Sequence, residues 1–152
     1  MTISPIDTRV AMVQFSDAPQ LEFQFVTAEV ALATSFDAVT YRQGGTNTGE
    51  AIDFAYTNII QSGARSGVRV SEVVLTDGFS FDDVAAPSDA MRTHGIDMFG
   101  VGYFGANTIQ LQAIANEPDE DFVYQAQTID ELLDIVEELV TVICSQPANY
   151  NG

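Results

Sequence analysis

"TGEAIDFAYTNIIQSGARSGVRVSEVVLTDG", residues 48–78, decides the fold. In its first half Ile52, Ala55, Ile59 and Ile60 recur at helical spacing and share one face, and Gly63 is placed to stop the helix. Its second half, from Val68, is a β-rich run that ends in an Asp-Gly turn. A helix that leads straight into a buried strand asks for the same alternation elsewhere in the chain.

The flanking segments supply it. Upstream, "TRVAMVQFSD" (8–17) reads as a buried strand and "QLEFQF" (20–25) as its antiparallel partner with one wet face. "TAEVALATSF" (27–36) suits a short helix capped by Thr27. Downstream, "DDVAAPSDAMRTHG" (82–95) reads as a helix with Pro87 in an early turn, and "IDMFGVG" (96–102) as a strand. "NTIQLQAIAN" (107–116) is a helix, "DFVYQA" (121–126) a short strand, and "TIDELLDIVEELVTVIC" (128–144) a closing helix whose Thr128 and Glu131 make a capping box. The pattern specifies an α/β fold: a doubly wound, Rossmann-like, mostly parallel sheet with one antiparallel edge strand and helices on both faces. Its length of 152 residues suits one domain, 1–145, with residues 146–152 as a tail or linker.

Composition narrows the function classes. Five arginines and no lysine stand against 22 acidic residues, for a net charge of −17. Such a field repels phosphate backbones and anionic membranes, so no nucleic-acid partner and no membrane insertion are expected. Cys144 and His94 are single copies, which leaves neither a thiolate metal site nor a nucleophile–histidine set. "GVGYFG" (100–105) matches a dinucleotide loop in wording. It comes late in the chain, however, and its third glycine precedes the helix, so a nucleotide-binding oxidoreductase is the weakest reading and no enzyme activity is expected.

Ligands on parallel α/β sheets bind beyond the carboxyl ends of the strands. Asp77 in "LTDG", Ser16 and Asp17 in "FSD", and Thr46 and Thr48 in "GGTNTG" all fall at that edge. A carboxylate beside neutral hydroxyls suits a hard divalent cation such as Mg2+. The same residues have a plainer use: Asn47 with Glu50 has capping-box spacing, and Asp-Gly is a common turn.

Three pieces in order, "TRVAMVQFSD", "YRQGGTNTGEAI" and "VVLTDGFSFDDV", make the chain resemble a von Willebrand factor A-type domain of the matrilin, collagen and integrin-inserted kind, from Thr8 to Cys144. "GIDMFGVGYF" and "IDELLDIVEELVTVIC" fall where that family has its later strand and last helix. The resemblance implies a metal-ion-dependent adhesion site in which Thr46 and Asp77 are metal ligands for Mg2+. It further implies that the cation keeps a position for an acidic residue of an extracellular protein partner, such as a matrix component. The implied setting is extracellular or secreted, as part of a larger protein.

The family's first strand and its Asp-x-Ser-x-Ser loop have no counterpart here, and Cys144 stands where many members pair with a cysteine upstream of that strand. The expectation is therefore an N-terminally incomplete domain, from a truncated chain or gene reading, with half the cation site. A central sheet position would be left as a slot, open to association. Two functions follow: adhesion through a weakened cation site, or a metal-independent structural or assembly domain of a matrix protein.

Overall fold

The computed structural model describes residues 1–145; the expected tail, 146–152, lies outside the described residues. β1 (Val10–Phe15) and β2 (Pro19–Val26) form the expected antiparallel pair, with Val13 opposite Leu21 and Phe15 opposite Pro19. β3 (Ser71–Thr76), β4 (Asp97–Tyr103) and β5 (Val123–Ala126) form a parallel sheet in that order. Leu75 lies opposite Val101, and Val101 opposite Tyr124.

The helices are α1 (Glu29–Asp37), α2 (Thr48–Ala55), α3 (Gln61–Gly63), α4 (Ala85–Thr93), α5 (Thr108–Ile114), α6 (Asp119–Phe122) and α7 (Ile129–Ser145). A π-helical stretch, Tyr56–Ile60, joins α2 to α3. Its wider turn brings Ile59 and Ile60 onto the buried face already occupied by Ile52. Pro87 is the third residue of α4, where its missing N–H costs nothing. Thr27 does not cap α1: Ala28 is the N-cap and makes no side-chain bond. α6 was not legible as a separate turn. At α7 the Thr128 hydroxyl accepts from the Glu131 amide at 3.2 Å, while the Glu131 carboxylate accepts from the Gln127 amide at 2.6 Å, one residue further back than in a standard capping box.

Alternation along β4 divides the core between the two faces of the sheet. Met98 packs with Ile52, Ile60, Val74 and Met91 under α2 and α4, whereas Phe99 and Val101 pack with Phe122 and Leu139 under α6 and α7. Helices thus cover both faces, as the alternating pattern requires.

The sheet itself is interrupted. Among the described residues the β1–β2 ladder and the β3–β4–β5 ladder are not hydrogen-bonded to each other. Between them lies a cleft of about 1310 Å³, bordered by β1, β3, α2 and α7. Val73 and Leu75 of β3 are 43% and 50% exposed, which is unusual for apolar side chains on the strand next to the centre of an α/β sheet. The slot expected between the flanking strands is therefore open, and the strands have not closed up.

Candidate functional site

Three loops meet at the carboxyl edge of the strands. The first leaves β1: the Ser16 carbonyl accepts from the Asn47 amide at 3.0 Å, and the Asp17 carbonyl from the Asn47 side chain at 2.8 Å. The Asp17 carboxylate accepts from the Gly45 amide at 2.6 Å. "GGTNTG" is thereby tied to the end of β1. It is tied equally to the loop after β3, because the Thr46 carbonyl accepts from the Phe81 amide at 2.9 Å and from the Ser80 hydroxyl at 3.2 Å.

Thr46 and the Asp77-Gly78 turn come together. A methyl group placed on Gly78 would sit 3.2 Å from the Thr46 hydroxyl oxygen, so that hydroxyl points at the residue beside Asp77. Asp77 is exposed, Thr46 half-buried and Thr48 buried. Thr48 is thus a packing residue of the helix start, and Thr46 is the hydroxyl presented at the edge.

The helix start is capped differently from the local sequence rule. Asn47 makes no side-chain cap bond. Instead Asp82, from the loop after β3, accepts from the Gly49 amide at 2.9 Å and the Glu50 amide at 2.7 Å, and the Ser80 hydroxyl donates to it at 2.6 Å. The Thr48 amide donates to Ser80 at 3.0 Å. Gln110 of α5 completes the brace, accepting from the Ser80 amide at 2.7 Å and donating to its carbonyl at 3.0 Å. Sequence reasoning missed Ser80, Asp82 and Gln110, because a cap supplied from over thirty residues away leaves no local spacing signal. The only trace is the S-x-D spacing in "FSFDD".

Burial would push the Asp82 carboxyl up, but the hydrogen bonds from Ser80, Gly49 and Glu50 outweigh it and hold it below the usual aspartate range. A depressed pKa stabilises the fold above the ordinary aspartate pKa of about 4, and that contribution is lost as pH falls through the folded value. Asp82→Ala is expected to cost ~1–2 kcal/mol at neutral pH, the usual worth of a helix cap. Urea unfolding should show the gap between mutant and wild type closing in acid; a gap that persists at pH 2 would contradict the cap.

A second carboxyl behaves oppositely. Glu72 lies on β3, on the face toward α2; it borders the cleft, but its Oε2 is shut off from solvent and has no hydrogen-bond partner. Burial, reinforced by the negative charge of Asp53, pushes it from 4.5 up to about 8.

"GVGYFG" has a packing role. A Cβ on Gly100 would meet the Leu111 carbonyl oxygen at 2.9 Å, and one on Gly102 would meet the Leu111 side chain at 2.6 Å. These glycines let α5 lie close against β4, and α5 begins only at Thr108, past Gly105. His94 stacks on Tyr56 with centroids 4.5 Å apart, at the C-terminal end of α4.

Thr46 and Asp77 offer hard oxygens, but among the described residues no three His, Cys, Asp or Glu side chains gather to hold a metal. Mg2+ prefers six oxygens and keeps several waters, so two protein donors leave most of the shell to water.

The von Willebrand factor type A domain model matches residues 1–138. The chain belongs to this family. It is 33% identical over 148 residues to the collagen alpha-1(XII) chain of Notophthalmus viridescens, covering 95% of this chain and 16% of that one. It is 34% identical over 145 residues to cochlin of Cavia porcellus, covering 93% of this chain and 26% of cochlin. Both relatives are therefore much longer proteins than the segment they share with it. Among solved structures, proximal thread matrix protein 1 from the mussel byssus superposes with a TM-score of 0.85 at 22% identity, covering 100% of this chain and 39% of that one. A second structure of that protein, with a zinc-occupied MIDAS motif, gives a TM-score of 0.83 at 22% identity. The Rossmann-like α/β architecture of this A-type domain is that of its structural neighbours. No helix among the described residues is long and apolar enough to cross a membrane.

Proposed function

We propose that this A-type domain is a non-enzymatic, extracellular protein-binding and adhesion module that works through a divalent cation at the carboxyl edge of its sheet. The observation that supports it is the approach of the Thr46 hydroxyl to the Asp77-Gly78 turn, braced from both sides by the β1 and β3 loops. Thr46 and Asp77 would hold Mg2+ together with water, and a partner from the matrix would complete the shell with an acidic side chain. The collagen relative supports an extracellular setting, and the zinc-occupied motif in the byssus protein supports a cation in this fold.

A metal-independent structural domain is the second reading. It is favoured by the use of Ser80 and Asp82 purely to fasten α2. Thermal melts in Mg2+ and in chelator, at matched ionic strength, separate the two. At a hundredfold excess over Kd the cation should add ~2.7 kcal/mol, and Asp77→Ala should abolish that gain. An equal gain in the mutant would mean general relief of the −17 charge and would favour the structural reading.

A further inference from the structure

The loop after β3 carries Asp77 at its start and fastens Thr46 a few residues on, yet its middle has little apolar anchorage. Phe79 and Phe81, on either side of Ser80, are 58% and 76% exposed. Large side chains turned to solvent contribute little burial, so hydrogen bonds hold this loop in place. Those bonds converge on Ser80, which is buried. Its hydroxyl lies 3.2 Å from the Thr46 carbonyl, 2.6 Å from the Asp82 carboxylate and 3.0 Å from the Thr48 amide. The Thr46 carbonyl also accepts from the Phe81 amide at 2.9 Å, so Thr46 stands where residues 80 and 81 hold it.

Ser80 is held in turn by Gln110. The Gln110 carboxamide grips the backbone of that one residue at both ends, accepting from its N–H at 2.7 Å and donating to its C=O at 3.0 Å. One side-chain amide thus satisfies both main-chain groups of a buried residue, which neither a carboxylate nor an alkyl chain can do. Gln110 is itself fixed. Its own backbone amide donates to the Asn107 side chain at 2.9 Å, and its neighbour Leu111 is fully buried where Gly100 and Gly102 let α5 press on β4. From the core to the candidate ligands, contact therefore runs through β4, α5, Gln110, Ser80 and Thr46.

We propose that Gln110 is a positioning residue for the cation edge: through Ser80 it imposes the fixed place of α5 on Thr46 and on the loop that begins at Asp77. Its effect on binding rests on the cation reading above; its effect on the loop does not. The test compares Gln110→Met with Gln112→Met. The first keeps the length and apolar stem of the side chain but removes both bonds to Ser80. The second removes a side-chain bond from the same helix that goes to Asp119 of α6 instead. Mg2+ is titrated into each intact chain by calorimetry, and amide hydrogen exchange is followed without it.

In Gln110→Met the amides of Asn47, Thr48 and Phe81 should exchange about tenfold faster, the scale of two lost hydrogen bonds, while residues 98–101 of β4 keep their protection. Mg2+ affinity should fall about tenfold or more, as it does when a group behind the direct ligands is removed. Gln112→Met should change neither. Unchanged exchange at those three amides overturns the proposal. So does a loss of protection that spreads over β4, which would make Gln110 a general packing residue. Equal Mg2+ affinity in wild type and Gln110→Met overturns it as well. A wild-type chain that binds no Mg2+ sinks the cation reading instead, and exchange at Asn47, Thr48 and Phe81 then settles whether Gln110 positions the edge.

Discussion

Gly49→Ala should unfold this domain some ~4–8 °C earlier than wild type, although alanine is the better helix former. Gly49 lies in the first turn of α2, and a methyl group there would overlap the Asp83 carbonyl oxygen and stand 2.9 Å from the Asp83 carbonyl carbon. Both are backbone atoms of a loop that cannot yield. Phe81 is bonded to Thr46, Ser80 to Gln110, and Asp82 to the Gly49 and Glu50 amides. The helix-propensity gain is at most ~1 kcal/mol. Overpacking against backbone costs up to ~3 kcal/mol, and an overlap this deep lies at that end, so the clash wins by ~2 kcal/mol net. At about 2–4 °C per kcal/mol for a domain of this size, the melting shift follows. Calorimetry of Gly49→Ala beside the exposed neighbour Glu50→Ala, which should move little, checks it. A mutant as stable as wild type would show that the loop gives way, and with it the rigidity of the Thr46 edge.

Glu72→Gln should act in the other direction and raise stability at neutral pH. The folded Glu72 carboxyl titrates near 8, against 4.5 when unperturbed. Between those values the native state holds a proton that the unfolded chain has released, so stability falls as pH rises, by about 1.4 kcal/mol per unit. Below the unperturbed value the two states carry the same proton and the effect vanishes. At pH 7 the gain from glutamine is on the order of 3 kcal/mol, as an upper bound, because Glu72 borders the open cleft and is only half-buried. Chemical denaturation from pH 4.5 to 8 should show wild type losing stability across that window while Glu72→Gln loses less. Parallel curves would mean that the carboxyl reaches solvent or a partner in the folded state.

Both residues mark where local sequence stops being informative. The order of strands and helices was legible because each element carries its own periodicity: Ile52, Ile59 and Ile60 for the helix, the β-branched run before Asp77 for β3, and Phe99 and Val101 for β4. The rule that loops at the carboxyl ends of parallel strands share an edge placed Thr46 and Asp77 together, and the structure brings Thr46 against the turn that follows Asp77. The capping rule failed at Asn47. A spacing rule sees three or four residues ahead, while the actual cap, Asp82, is folded in from the next βα loop.

The sequence by itself determined the alternating α/β order, the acidic surface, and the pieces that mark an A-type domain, since all of these are written in neighbouring residues. Tertiary structure alone decided that Asp82 and Ser80 fasten the start of α2, that Gly100 and Gly102 serve helix packing, and that Glu72 is stranded beside an open cleft. The physical reason is common to all three. A hydrogen bond, a van der Waals clash and the loss of solvent each depend on which segment lies across the gap, and that partner is chosen by the packing of the whole chain.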